Sequence, residues 1–335
     1  MTILYIGNKL SKHGKTLTSI ETLGPQLEAL GYTVLYASHY KNVVLRLFDM
    51  ICSIFINRKR VDKVLIDTYS KYAFWYAIIS GWVCRRVAIP YCPILHGGNL
   101  PKRLQNNPKL CASYFGQSQV NIAPSNYLKH EFEIYGYNVV HIPNNIDLSL
   151  YRFKIRHSVS VKLLWVRSFD KIYNPLMSID VLKQLVAQNT NACLCMVGPD
   201  KAGTMEVCRQ YVSELGLDNN VVFTGKLSKQ EWHGLSENYD IFINTTNVDN
   251  TPVSLIEALA LGLPVVSTNV GGIPYLVDEG TEALLVPVRD VGEMSKAIIS
   301  LVQNPSLAEQ LSIDGRKKAE LFDWEKVSGQ WQKIL

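Results

Sequence analysis

Twelve short apolar runs, spaced by segments of helical periodicity, limit what this chain can fold into more than any other feature. The strand-like runs fall at residues 2–6, 33–37, 63–66, 87–95, 120–123 and 139–142. A second series follows at 161–166, 192–197, 221–223, 241–243, 265–267 and 283–286. Parallel strands need a crossover, and a helix is the usual one, so strict alternation implies parallel sheets covered on both faces. The expected fold class is α/β with two doubly wound domains. The 335 residues exceed one ordinary domain, and a hydrophobic share of 47% fills two cores. The apolar pattern lapses in the segment YRFKIRHSVS, which sets expected boundaries of 1–155 and 156–315, with closing helices over 316–335.

The stretch from 247 to 277, NVDNTPVSLIEALALGLPVVSTNVGGIPYLV, carries the chemistry. Asn250, Thr251 and Pro252 form a turn, with Pro252 suited to a first helical position. Val253, Ser254, Leu255 and Ile256 follow near that helix's positive end, where a diphosphate binds well. Glu257 lies one turn further in, where a carboxylate accepts two hydrogen bonds from a ribose diol. Asp249 lies just outside the helix, free to meet a second hydroxyl-rich group. Taken alone, Glu257 reads as a solvated helix carboxylate; the surrounding pattern argues for a ligand contact.

This stretch resembles the signature of the retaining family 4 glycosyltransferases of the GT-B fold, in which E-x7-E precedes A-x-A-x-G-x-P-V-V-x-x-x-x-G-G-x-P. Here the acids read D-x7-E. The resemblance implies two Rossmann-like domains with an inter-domain cleft. It also implies that Glu257 holds the donor ribose and that Asp249 contacts the donor sugar from one methylene further back. In LLWVRSFDKIYNP, Arg167 and Lys171 match the family's Arg and Lys, although the family more often spaces them by five. Directly after a strand, two cations grip a diphosphate and offset charge on the departing nucleotide. Gly198 and Gly225 end strands at positions that surround the base in the family. His96, in ILHGGNLP, matches the family's first-domain histidine beside the donor sugar, and Asn99, Lys102 and Arg103 extend that region toward an acceptor. Gly14, in the loop GNKLSKHGKT, belongs to a segment that borders the diphosphate and acceptor in the family, with a helix opening near Thr16. Asn145 takes the usual place of Gly in P-N-N-I-D, where a left-handed backbone is expected. Phe322, Asp323 and Trp324 match the F-x-W that ends family members, where the last helices cross back onto the first domain.

The implied activity is retaining transfer of a sugar from a nucleoside-diphosphate donor, UDP before GDP, to a glycan or lipid-linked glycan acceptor in polysaccharide or glycoconjugate biosynthesis. No D-x-D occurs in the chain, so the expectation is a metal-independent hexosyltransferase without a cofactor, in which Arg167, Lys171 and helix amides hold the diphosphate. The alternatives are a nucleotide-sugar epimerase of the same fold and a catalytically weak sugar-nucleotide sensor. A P-loop reading of Gly14, Lys15 and Thr16 fails on spacing, because six residues rather than four separate Gly7 from Gly14.

Residues 1–155 carry 18 Lys and Arg against 8 Asp and Glu, whereas the remainder carries 16 against 21. The basic half contains Val44, Leu47, Phe48, Ile51, Ile54 and Phe55 on one helical face, closed by Arg58, Lys59 and Arg60. Two readings stand level: an interfacial helix in peripheral contact with an anionic membrane surface, and an ordinary helix packed on its own sheet. Nucleic acid is not an expected partner, since no aromatic-interleaved basic motif occurs. The seven cysteines form no C-x-x-C pair and the N-terminus reads as a strand, so the expected compartment is the cytoplasm, with a place on the inner face of the membrane if the interfacial reading holds.

Overall fold

A computed structural model describes residues 1–13, 18–188, 191–201 and 203–335, so the expectations placed on Gly14, Lys15 and Thr16 lie outside the described residues. The chain divides into two units, Met1–Pro143 with Ile334–Leu335, and Asn144–Lys333.

Unit 1 contains β1 (Thr2–Ile6), β2 (Thr33–Ala37), β3 (Lys63–Thr68), β4 (Tyr91–Leu95), β5 (Asn121–Ala123) and β6 (Val139–His141). Among the described residues they form one parallel sheet in the order β2-β1-β3-β4-β5-β6. The run expected over 87–95 is shorter as a strand. Val87 caps the helix Phe74–Arg86, Ala88 takes φ 56°, and Pro90, with no N–H to donate, joins the ladder only through its carbonyl, which accepts from the Val64 amide at 3.0 Å. The first helix, Ser19–Ala29, starts later than expected, at a cap in which the Glu21 carboxylate accepts from the Thr18 amide at 3.2 Å.

Unit 2 contains β7 (Lys162–Val166), β8 (Cys193–Val197), β9 (Val221–Gly225), β10 (Ile241–Asn244), β11 (Val265–Thr268) and β12 (Ala283–Val286). Their order is β12-β11-β10-β7-β8-β9, again all parallel. Buried Val, Leu and Ile from both faces of this sheet fill two apolar clusters, one around Trp165 and Phe169 and the other around Phe242 and Leu259. Such runs read as continuous apolar stretches because neither face meets water.

Two boundaries differ from expectation. The division falls at Pro143, ahead of 155, because residues 144–156 pack on the second unit. The Ile146 amide donates to the Phe322 carbonyl at 2.9 Å, and Arg156 donates to the carbonyls of Lys154 and Leu261, both at 2.7 Å. Residues 316–333 group with unit 2, and only Ile334–Leu335 group with unit 1, where Lys63 donates to the Ile334 carbonyl.

In each sheet the order reverses between two neighbouring strands, β1 and β3 in unit 1 and β7 and β10 in unit 2. Loops leaving the carboxyl ends of strands at such a reversal diverge to opposite faces and open a crevice.

Candidate active site

The unit 2 reversal sets Arg167, after β7, beside Asp249, after β10. Their side chains form an ion pair in a nearly buried setting. Burial raises the Asp249 carboxyl above its usual range, while Arg167 and the Asn250 amide, which donates at 2.8 Å, pull it partly back. The loop carrying Asp249 is pressed against the glycine pair of the 247–277 stretch. A Cβ on Gly271 would lie 2.1 Å from the Asp249 carbonyl oxygen, and one on Gly272 would lie 1.7 Å from that of Asn250. Neither position accommodates a side chain, and Gly271 also takes φ 57°.

The helix Val253–Ala260 follows, with Pro252 as its N-cap rather than its first turn residue, a shift of one position. Asn250 and Thr251 are buried in the turn before it. Leu255 sits in the core, whereas Ser254 and Glu257 face a cavity of about 240 Å³. Its wall includes Arg167, Ser168, Tyr173, Gly198, Pro199, Lys229 and Trp232. Glu257 is buried, and one of its oxygens receives the Tyr151 hydroxyl at 2.8 Å and pairs with Lys229 Nζ at 2.7 Å. Burial and the adjacent Glu257 raise the Tyr151 hydroxyl's pKa, so Tyr151 stays a donor. Ser254 Oγ and Arg167 Nε are buried and have no hydrogen-bond partner within the chain. Unsatisfied donors of this kind are costly unless something fills the cavity, which makes them a mark of a ligand site.

Gly198 takes φ 152°, and a Cβ there would lie 1.7 Å from the Arg167 carbonyl, so β8 ends in close backbone contact with the loop bearing Arg167. Gly225 takes φ 73°, and its carbonyl accepts from the Gly198 amide at 2.9 Å. Gly198 lines the cavity, whereas Gly225 is not part of its wall and holds Gly198 through that bond. Lys171 behaves differently. It is exposed on the 3-10 turn Lys171–Tyr173 and is not part of the cavity wall; that turn presents Tyr173 instead, beneath the Arg167 guanidinium at 4.8 Å.

Sequence reasoning missed Tyr151, Tyr173 and Lys229. The last had a readable signal: Ser228 and Glu231 form a capping box one turn after β9, so Lys229 opens a helix facing the site. Tyr151 opens the polar segment YRFKIRHSVS that sets the expected boundary, where no periodic signal marks it.

In unit 1, His96 follows β4, and its Nε2 lies 2.7 Å from Asp67 Oδ1 on neighbouring β3. Tyr5, on β1, donates its hydroxyl to the same carboxylate at 3.1 Å, and Tyr69 stacks on the imidazole at 5.1 Å. A carboxylate at Nε2 requires a proton there, leaving Nδ1 as the ring's acceptor, 3.5 Å from Ser19 Oγ. Burial raises the pKa of Tyr5 and of Tyr69, with the Asp67 charge adding to both. Gly97 fits because a Cβ would lie 2.7 Å from the Ser70 amide nitrogen. Arg103 is engaged with the Ser70 carbonyl at 2.9 Å, Asn99 caps the helix Leu100–Asn106, and Lys102 is exposed. Asn145 is not in the left-handed region; among the described non-glycine residues, Ala88, Asn174 and Arg289 are. The turn at 144–147 is held by pairing of Ile146 with Asp323 rather than by a positive φ.

The fold is a two-unit α/β protein whose second sheet carries, at its reversal point, a cavity lined by Arg167, Lys229, Glu257 and Ser254. Residues 151–318 match the model of the family described as glycosyl transferases group 1, and the chain belongs to that family. A D-inositol 3-phosphate glycosyltransferase of Rhodococcus jostii is 26% identical over 284 residues, covering 76% of this chain and 63% of that protein. An uncharacterised glycosyltransferase of Methanocaldococcus jannaschii is 22% identical, covering 92% of this chain and 90% of its own. The chain therefore spans less than two thirds of the Rhodococcus relative but most of the archaeal one. Among solved structures, sucrose-phosphate synthase from Thermosynechococcus elongatus superposes with a TM-score of 0.79 at 17% identity, over 99% of this chain and 98% of that one. HepE from Anabaena, solved with UDP-glucose, gives 0.77 at 18% identity over 100% and 99%. The fold is thus the two-domain GT-B fold.

Proposed function

We propose that this chain is a retaining glycosyltransferase that moves a hexosyl group from a UDP-sugar to a glycan or lipid-linked glycan. The observation that carries the reading is the convergence on one cavity of Glu257, Arg167 and the unpartnered Ser254 hydroxyl at a helix start. The ribose diol takes over Glu257 from Lys229 and Tyr151. The Ser254 hydroxyl and the amides at the start of the helix Val253–Ala260 meet the diphosphate. Arg167 leaves Asp249 for the phosphate oxygens, and Asp249 then accepts from a hydroxyl of the donor sugar. HepE's structure with UDP-glucose supports uridine as the first base to test. In the chemical step the acceptor oxygen bonds to the anomeric carbon on the face from which the diphosphate leaves. The departing phosphate oxygen takes the acceptor's proton, so configuration is retained. Arg167 is the main counter-charge.

Lys229 is assigned as the second cation, because it lines the cavity whereas Lys171 is exposed outside the wall. The test is UDP release from a panel of UDP-sugars with a soluble glycan acceptor, run on three alanine variants. Arg167→Ala lowers turnover by about 10²-fold or more, Lys229→Ala by a similar order, and Lys171→Ala by less than about threefold. A Lys171→Ala variant as impaired as Arg167→Ala would return the second cation to Lys171. Binding of UDP without any release of UDP from a sugar donor would replace the enzyme by a sensor.

A further inference from the structure

We infer that the outer face shared by the helices Val43–Asn57 and Phe74–Arg86 docks on an anionic lipid bilayer. The first of these helices buries a charge while exposing much of its apolar surface. Its charged Arg46 is 7% exposed and points inward, donating to the carbonyls of Tyr40 at 2.8 Å and Lys41 at 2.9 Å and to Asn8 Oδ1 at 3.0 Å. Much of its apolar surface faces solvent instead: Val44 is 71% exposed, Phe48 64% and Ile56 77%, Val43, Leu45 and Phe55 are exposed too, and Leu47 and Ile51 are half-buried. Only Arg46, Met50 and Ile54 of this helix are buried, so Ile54 packs inward while Val44, Phe48 and Phe55 of the same expected face are exposed. Mean burial of apolar area stabilises a fold, and a fifteen-residue helix that leaves most of its large apolar side chains in water forgoes that stabilisation unless a partner covers them.

The neighbouring helix continues the stripe. Trp75 and Trp82, seven residues apart and hence on one face, are both exposed, and Tyr72 precedes them, fully outward. The Tyr76 hydroxyl donates to the Val43 carbonyl at 3.3 Å, which ties the two helices together at their starts. Both helices return from the carboxyl ends of β2 and β3 to the amino ends of the next strands, so they run parallel and end at the same sheet edge. Arg58, Lys59 and Arg60 close the first and Arg86 the second, which gathers four exposed cations at that end of the sheet, while Arg85 is half-buried and donates to the Tyr91 hydroxyl at 3.1 Å. The Arg86 guanidinium stacks over Trp82 at 5.0 Å, an aromatic ring with a cation at its polar rim. Against these stand Asp49, half-buried at the margin, and Asp62, which accepts from the Thr2 amide at 2.7 Å.

This charge decides between occupants. Two copies apposed through the same face would bring eight exposed cations to one seam, whereas an anionic surface neutralises them while the tryptophans enter the headgroup layer. No helix among the described residues is long and apolar enough to cross a membrane, so the chain lies on the surface.

The test uses the full chain and needs no turnover. Cosedimentation is measured with vesicles of phosphatidylcholine alone and with an equimolar mixture of phosphatidylcholine and phosphatidylglycerol. Wild type partitions onto the mixed vesicles with a salt-sensitive affinity and a blue shift of tryptophan emission that Trp75→Phe with Trp82→Phe removes. Reversal of Arg58, Lys59 and Arg60 to Glu weakens partitioning on the order of a hundredfold. Phe48→Glu weakens it as well, while UDP release in the absence of vesicles stays at the wild-type rate in both variants. No partitioning onto the mixed vesicles overturns the inference, as does partitioning that these variants leave intact. Self-association in sedimentation velocity that Phe48→Glu abolishes also overturns it, assigning the face to a second copy. None of these results bears on the donor site, whose test is nucleotide release.

Discussion

At the scale of single residues, each half of the chain places a carboxylate where it governs a functional group. Asp67 is the clearer case. One oxygen serves both His96 and Tyr5, while the other is buried without a partner, and a Cβ on Gly7 would lie 2.6 Å from it. Asp67→Asn keeps the shape and loses the charge that keeps the imidazole proton on Nε2. Turnover is expected to fall, by an order approaching 10²-fold if the ring shifts by about 1 Å, with the dissociation constant for UDP unchanged because UDP is assigned to unit 2 residues. An unchanged kcat in the Asn variant would reduce Asp67 to a packing role. Asp249 predicts a pH effect of definite sign. Its folded pKa is raised, so the native state holds that proton more tightly than the unfolded chain, and this contribution to stability is complete below the ordinary carboxylate value and declines as pH rises through the raised one. Relative to wild type, Asp249→Asn should therefore gain in melting temperature as pH climbs through that window. A constant difference across that range would contradict the burial argument. Glu257 and Asp249 were legible in the sequence because they sit in a dense pattern. Asp67 was not, because a lone Asp near the end of an apolar strand carries no periodic signal, and its partner lies 29 positions away.

Among elements, strands were read almost to the residue and turns were not. An apolar run bounded by polar residues has only one way to satisfy its backbone inside a parallel sheet, so β1, β2 and β12 match their expected bounds. What spacing does not report is which direction a helix faces once its neighbours are packed. Val43–Asn57 shows this, since Arg46 is retained inward by three carbonyl or amide oxygens that no helical wheel displays. The same limit moved Lys171: a 3-10 turn rotates successive side chains by about 120°, which carries Tyr173 into the wall in its place. Glycines at close approaches were legible as a pair, and their cost is testable. Gly272→Ala puts a methyl 1.7 Å from the Asn250 oxygen with no strained φ to blame, so the loop bearing Asp249 and Asn250 must move. The expected result is a loss of about 1–3 kcal/mol in stability together with weaker UDP binding. Gly234→Ala, inside the helix Lys229–Leu235 at a site where a Cβ meets nothing within 4 Å, is the control: it should leave UDP binding unchanged and raise stability by up to about 1 kcal/mol. Equal effects of the two substitutions would remove the steric account.

For the molecule as a whole, the two units have separate hydrophobic clusters, and the full wall of the candidate donor cavity is drawn from the second. Ligand binding stabilises only what it touches or what folds cooperatively with it, by RT ln(1 + [L]/Kd), about 2.7 kcal/mol at a hundredfold excess over Kd. UDP at that excess should slow amide hydrogen exchange in the segments after β7, β8 and β10 and in the helix Val253–Ala260, all within Asn144–Lys333. Amides of β2 and β6, in the first unit's own sheet, should exchange at the unliganded rate. Protection concentrated in residues 1–143 would move the nucleotide out of the second unit. Protection spread evenly over both would mean that the units open as one cooperative block, in which case a single thermal transition would shift as a whole. The exchange pattern discriminates because local opening of the cavity loops costs less than global unfolding, so their rates report occupancy directly while core strands report it only through the global term.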